Sequence, residues 1–291
     1  MEPTDFDALI VGHGPAGCSA ALYLCRAGMR VAVIGKDRGA LGRAELIGNY
    51  YGLPQPVRGS DLVSIGRQQC KELGARMLKD EVLALEWRED GVYEATLAES
   101  GAVSAKAALL ATGKTRRAPN IEGIREFEGK GVSYCAVCDA FLYRGREVAV
   151  LGGGAYAKHE MEELLPLAKK ITLLTHGAEP EFDPPGEVAV QTAKLLRLHG
   201  GELLTGAELE GGLTQPLQGL FVALGAASAG DLARKLGLPL KDGAVEVNAA
   251  QETTLPGLFA AGDCTGSFAQ VAFAVAEGAR AGMGMIQFLR N

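Results

Sequence analysis

Cys135 and Cys138 stand two residues apart in Tyr134-Cys135-Ala136-Val137-Cys138-Asp139, with a carboxylate directly behind the second thiol. A C-x-x-C pair is either half of a zinc site or a redox disulfide, and a tetrahedral zinc site needs further Cys or His ligands at matching spacing. Those ligands are missing. Cys18, Cys25, Cys70 and Cys264 stand singly, and His13, His159, His176 and His199 form no H-x-H or H-x-x-x-H cluster. The motif therefore points to thiol–disulfide chemistry with no metal. Two residues on one helical turn bring their sulfurs within bonding reach, and a helix N-terminus lowers a thiolate pKa. Asp139 has two readings, a proton shuttle for a disulfide that is made and broken, or a first-turn residue favoured by the helix dipole.

A disulfide that cycles needs an electron carrier, and the chain contains elements suited to hold one. Residues 6–11 read as a buried strand running into Gly12-His13-Gly14-Pro15-Ala16-Gly17, followed by a small-residue helix and a second strand over 30–34. In that order G-x-G-x-x-G signals dinucleotide binding: Gly12 permits the tight turn, Gly14 lets backbone N–H groups reach a pyrophosphate, and Gly17 lets the helix pack on the sheet. The second strand ends in Gly35-Lys36, without the acid that usually meets the ribose. Cys18 and Cys25 read as core residues of the helix.

Residues 36–60 are loop-like, a helix is predicted over about 60–75 and strands over about 78–110. The last strand ends in Ala111-Thr112-Gly113, where a glycine allows close approach to a cofactor. Past the cysteines the pattern returns. A strand over 146–151 meets Gly152-Gly153-Gly154-Ala155-Tyr156-Ala157, then a helix predicted from Lys158 to Lys169 and a strand over 170–174. Two such units imply two dinucleotide sites, or one site and its remnant. Near the C-terminus a buried strand delivers Gly262-Asp263-Cys264 before a helix over about 269–289. Asp263 is then a helix cap or a ligand for a ribityl hydroxyl or a phosphate-bound water, and Cys264 a packed thiol.

Composition narrows the functional classes. A chain of 291 residues can hold two ordinary domains, and its 40 glycines suit an α/β fold rich in tight turns. The net charge of −6 and the lack of a basic run argue against nucleic acid. No apolar stretch approaches membrane-spanning length and the N-terminus lacks a signal pattern, so a cytoplasmic protein with no membrane attachment is expected. Sparse, singly spaced cysteines fit a reducing compartment.

From the G-H-G-P-A-G turn through Asn49-Tyr50-Tyr51-Gly52-Leu53-Pro54, A-T-G and C-A-V-C-D to T-T-L-P-G-L-F-A-A-G-D, the motifs run in the order of one family. The chain resembles the low-molecular-weight, bacterial-type thioredoxin reductases. The resemblance implies two Rossmann-like dinucleotide-binding domains of α/β class. One is an FAD domain split into 1–113 and 242–291, and the other an inserted NAD(P)-binding-like domain over 114–241 that carries the redox cysteines. It implies that Gly12, Gly14, Pro15, Ala16 and Gly17 hold the FAD pyrophosphate and that Asn49 lies by the flavin. It further implies that Ala111, Thr112, Gly113 and Gly262 border the cofactor, that Asp263 meets the ribityl chain, and that Gln270 and Val271 meet the isoalloxazine. Thioredoxin as substrate, a homodimer, Cys138 next to the flavin and Cys135 attacking thioredoxin follow from the same resemblance.

The departures bear on the electron donor. NADPH-using members of the family place arginines after the strand that follows the second glycine turn. Here that strand runs into Thr175-His176-Gly177-Ala178-Glu179-Pro180-Glu181, and Tyr156 is expected to crowd a pyrophosphate. Losing a bidentate arginine weakens phosphate binding by a few kcal/mol, so NADPH is doubtful and no acid favours NADH. The chain is similar to the branch that takes electrons from ferredoxin. A ferredoxin near about −400 mV and a thioredoxin near about −270 mV leave roughly 130 mV, about 6 kcal/mol for two electrons. Lys114, Arg116, Arg117, Arg144, Arg146, Lys169 and Lys170 are candidates for meeting an acidic ferredoxin, or form a solvated face. The competing readings are an NADPH-dependent thioredoxin reductase with atypical contacts, a flavin-dependent dithiol oxidase that uses O2, and a flavoprotein that only binds or senses.

Overall fold

The computed structural model describes residues 5–113 and 120–291. Lys114, Arg116 and Arg117 lie outside the described residues. The chain divides into two compact units, Met1–Thr115 with Ser228–Asn291, and Arg116–Ala227. Both are α/β units of Rossmann type.

The first segment begins with β1 (Phe6–Val11), α1 (Pro15–Arg26) and β2 (Val31–Ile34). It continues through α2 (Gly59–Glu72), β3 (Arg76–Leu78), β4 (Val82–Trp87), β5 (Tyr93–Leu97) and β6 (Ala102–Leu110). The sheet order is β3-β2-β1-β6-β5-β4, parallel from β3 to β6, with β5 and β4 antiparallel. The parallel strands read as unbroken apolar runs because both of their faces are covered.

The inserted unit holds β7 (Val132–Ser133), α3 (Ala136–Asp139), β8 (Glu147–Leu151), α4 (Ala155–Leu164), β9 (Lys170–Leu174) and β10 (Ala189–Gln191). An antiparallel sheet of β11 (Leu195–Gly200), β12 (Leu204–Leu209) and β13 (Leu213–Pro216) follows, and β14 (Gly219–Val222) returns to the parallel sheet, ordered β10-β9-β8-β14-β7. The helix predicted to reach Lys169 stops at Leu164, because Pro166 has no N–H to continue the ladder and restricts the residue before it.

The chain then re-enters the first unit. It forms α5 (Ala229–Lys235), a hairpin of β15 (Leu240–Lys241) and β16 (Ala244–Val245), β17 (Leu258–Ala260) beside β6, and α6 (Val271–Arg290). Residues 228–241, expected in the inserted domain, group here with the first unit. A Ser228–Asp231 capping box starts α5, whose first N–H, on Ala229, donates to Thr112 Oγ1 at 2.8 Å.

The small-residue composition of α1 and α6 has a direct packing reason. A Cβ at Gly278 would fall 2.1 Å from the Ala16 carbonyl oxygen, and one at Gly282 would fall 2.9 Å from that of Ala20. Glycine lets α6 press onto α1 and so holds the first glycine turn in place. Among the described residues no helix is long and apolar enough to cross a membrane.

Candidate functional site

The two glycine turns share one construction. Gly12 (φ +115°) and Gly152 (φ +151°) each lie where a Cβ would fall 2.2 Å from a carbonyl oxygen, that of Ala111 in the first unit and of Ala223 in the second. At Gly17 a Cβ would meet the Gly12 carbonyl oxygen at 1.9 Å, so the third glycine is as strictly required as the first.

Beyond that the turns diverge. Gly14, which caps α1 without help from any side chain, has nothing within 4 Å of its missing Cβ. The first-turn N–H groups of α1 need acceptors from outside the helix, Pro15 has none to lose, and no acid stands in the first turn. This cradle fits an anionic pyrophosphate. Around it the first unit gathers the other cofactor candidates. Ala111 N–H donates to Val11 O at 2.8 Å, Gly262 (φ +83°) packs against Ala16, and Asp263 opens a short 3-10 turn over 263–265. Asn49 Nδ2 donates to Gln270 Oε1 at 2.9 Å, and Val271 starts α6 directly afterwards.

Three supporting groups in this unit escaped the sequence reading. Glu277 accepts the Gly262 N–H at 2.8 Å and the Thr265 hydroxyl at 3.2 Å. His13 packs under Gly35, whose Cβ would fall 2.4 Å from the imidazole Nδ1. That contact is a reason for glycine after β2, and burial keeps the imidazole below its usual pKa. Glu81, buried after β3, pairs with Lys36 at 2.8 Å and leaves Oε1 without a partner among the described residues, so a carboxylate does stand by the lysine that follows β2, supplied by the segment between β3 and β4.

At the second turn the corresponding space is filled by the chain. A Cβ at Gly154 would lie 3.3 Å from Glu181 Oε2, and Glu181 N–H donates to Gly153 O at 2.7 Å. His176 makes this return possible. It adopts a left-handed φ of 56° and accepts the Leu195 N–H on Nδ1 at 3.0 Å, turning the loop after β9 back across the glycines. Tyr156, expected to crowd a pyrophosphate, points the other way. It is 1% exposed and its hydroxyl donates to the Tyr134 carbonyl at 3.5 Å, so its bulk supports the redox loop.

Cys135 and Cys138 are joined in a disulfide with Cα atoms 5.3 Å apart. Cys135 caps α3, its sulfur accepting the Cys138 N–H at 3.1 Å, and is buried, whereas Cys138 is exposed. Asp139 is tied to Ser133, whose hydroxyl donates to Oδ2 at 2.7 Å and accepts the Cys135 N–H at 3.1 Å. The Tyr143 hydroxyl is pushed above its ordinary pKa by burial and by the Asp139 charge. Ser133 carried no sequence signal. Glu160 did, as an acid on the apolar stripe Tyr156, Ala157, Glu160, Met161, Leu164, and it proves 1% exposed.

Cys264 is a packed thiol, bonded to the carbonyls of Leu110 and Ala261 at 3.3 Å each, and burial pushes its pKa to about 12.

The model of the pyridine nucleotide-disulphide oxidoreductase family matches residues 6–278. The chain is 32% identical over 306 aligned positions to the thioredoxin reductase of Aquifex aeolicus, covering 98% of this chain and 93% of that protein. An atypical thioredoxin reductase from Desulfovibrio vulgaris Hildenborough superposes with a TM-score of 0.92 at 39% identity, over 98% of both chains. A ferredoxin-flavin thioredoxin reductase from Clostridium acetobutylicum superposes with a TM-score of 0.76 at 28% identity, again over 98% of both. With its two glycine turns, split first unit and C-x-x-C disulfide, the chain belongs to the pyridine nucleotide-disulphide oxidoreductases, within the thioredoxin reductase family.

Proposed function

We propose that this protein reduces thioredoxin, or a thioredoxin-like protein, through Cys135 and Cys138, with FAD in the first unit and reduced ferredoxin as the electron donor. The observation that carries the donor assignment is the Glu181 carboxylate beside Gly154. In a working nicotinamide site that place belongs to a pyrophosphate, and a carboxylate there repels one. The likeness to the Clostridium acetobutylicum protein supports the same reading. Arg144, Arg146, Lys169 and Lys170, exposed at the amino-terminal edge of β8 and β9, are candidate contacts for an acidic ferredoxin. We extend the family's homodimer and a cytoplasmic location to this chain as well.

In this reading Gly12, Gly14, Pro15, Ala16 and Gly17 hold the pyrophosphate. Ala111, Thr112, Gly113, Asn49, Gly262, Asp263, Gln270 and Val271 hold the rest of the cofactor. FAD, when bound, supplies the electron pair that opens the disulfide. The remaining work falls to the chain. Cys138, the exposed sulfur, is reached first, and Cys135 departs as a thiolate that already accepts the Cys138 N–H. Asp139, steadied by Ser133, exchanges the proton that accompanies the change. Cys135 then attacks one sulfur of the thioredoxin disulfide, and Cys138 resolves the mixed disulfide, releasing reduced thioredoxin and restoring the Cys135–Cys138 bond.

The test is an anaerobic titration of the purified flavoprotein with NADPH, NADH or reduced ferredoxin, each with and without oxidised thioredoxin. Flavin bleaching by ferredoxin followed by thioredoxin thiols is the expected result. Rapid bleaching by NADPH would overturn the donor assignment, and peroxide formed from dithiols and O2 without thioredoxin turnover would replace it with a dithiol oxidase.

A further inference from the structure

Behind the redox pair lies a carboxylate that the chemistry above leaves unused. Glu160, 1% exposed on α4, accepts the Ala136 N–H on Oε2 at 2.6 Å, shorter than the usual amide N–H···O distance. Ala136 opens α3 directly after Cys135, whose sulfur takes the Cys138 N–H. Of the amide donors at this helix start, one thus serves the carboxylate and another serves the sulfur. A buried carboxylate costs solvation that a leucine on the same apolar stripe would not, and packing alone gives no reason for it.

We infer that Glu160 is a positioning residue that keeps the Cys135–Cys138 couple reducing. The inference rests on these cysteines being the redox pair of the reductase proposed above. Opening the pair breaks the S–S bond, takes up two electrons and, for the full dithiol, two protons. A thiolate on Cys135 is stabilised by N–H donors and destabilised by a neighbouring buried negative charge. Glu160, bonded at the first amide of α3, brings that charge to the helix start that would hold the thiolate, so the reduced form is disfavoured and passes its electrons on more readily. Disulfide oxidants have the opposite bias, a stabilised reduced form.

The experiment equilibrates the flavin-loaded protein anaerobically with mixtures of reduced and oxidised dithiothreitol at neutral pH. The peptide that carries Cys135 and Cys138 is then scored by alkylation and mass spectrometry. Dithiothreitol supplies the electrons and protons as it closes its own ring, so neither ferredoxin nor thioredoxin is needed. In Glu160→Gln, which keeps an oxygen for the Ala136 N–H and removes the charge, the constant for reduction should rise about tenfold, about 30 mV for this two-electron couple. Tyr156→Phe removes the hydrogen bond to the Tyr134 carbonyl, changes no formal charge and should stay within about twofold of the parent protein. Glu160→Gln within that same range, or Tyr156→Phe moving as far, overturns the inference and leaves the reductase reading standing. A pair that dithiothreitol never opens overturns both. Should Glu160→Gln fail to hold flavin, Glu160→Asp decides: drawing the charge back by one methylene should raise the constant about threefold, and no rise overturns the inference.

Discussion

Asn49 and Gln270 lie 221 positions apart in the chain and meet in one hydrogen bond of 2.9 Å, Asn49 Nδ2 donating to Gln270 Oε1. The bond joins the loop after β2 to the residue that caps α6, and so ties the two segments of the split unit together. Asn49→Ala or Gln270→Ala should weaken FAD binding by about 0.5–1.5 kcal/mol each, and the double variant should cost less than the sum. Fluorescence titration of the flavin-free protein measures all three. Strictly additive losses would show that the bond does not serve the cofactor.

Gly12 and Gly14 should separate fold from cofactor. A Cβ at Gly12 would collide with the Ala111 carbonyl oxygen at 2.2 Å from a positive φ, whereas one at Gly14 meets nothing within 4 Å. Gly12→Ala is expected to destabilise the flavin-free protein by about 2–5 kcal/mol. Gly14→Ala should leave its melting temperature nearly unchanged and yet lower FAD affinity, because the methyl enters the space proposed above for the pyrophosphate. Calorimetry paired with flavin titration distinguishes these outcomes.

Thiol labelling should report only the redox pair. Burial pushes the Cys25 thiol to about 11 and Cys264 to about 12, and Cys18 and Cys70 are buried in the core. At neutral pH the native oxidised protein should resist iodoacetamide, and mild reduction should expose Cys135 and Cys138 alone. Fast labelling of Cys264 in the folded protein would contradict this assignment.

Stability should fall at low pH partly through Asp80. Burial pushes its carboxyl up, but the Ser100 side chain and the N–H groups of Glu81, Glu99 and Ser100 outweigh burial and hold its pKa below the usual carboxylate value. Because the folded value is the lower one, the unfolded chain binds the proton first. The contribution is therefore present in full above the unfolded pKa and is lost as pH falls through the folded one. Asp80→Asn should lower the melting temperature at neutral pH, and the gap to the parent protein should narrow below about pH 4. A gap that stays constant with pH would assign the loss to packing.

Ser133→Ala should act at two points at once, orphaning the buried Cys135 N–H and releasing Asp139. A cost of about 1–3 kcal/mol in stability is expected, together with slower opening of the disulfide by dithiothreitol. Ser133→Thr, which restores the hydroxyl, should recover most of the rate in stopped-flow assays.

The glycine turns, the C-x-x-C pair and the strands around them were legible in the linear chain because each is a local rule. Gly12 and Gly17 leave no room for a side chain, β1 and β8 are apolar runs, and two cysteines on one helical turn can bond. What the linear chain could not show is which distant groups fill the remaining space. Glu181 reaches the second turn only because His176 reverses the loop, and Tyr156 faces the redox loop only because α4 presents that side inward. Ser133, Glu81 and Glu277 matter through hydrogen bonds that include partners 6, 45 and 15 positions away, pairings that no periodicity encodes. Residues 228–241 likewise pack with the first unit, where Ala229 bonds to Thr112, 117 positions earlier. Composition and spacing thus settle which chemistry the chain can support, while long-range packing leaves the first turn open and sets a carboxylate beside the second, because a side chain's partners are set by where the folded backbone brings them.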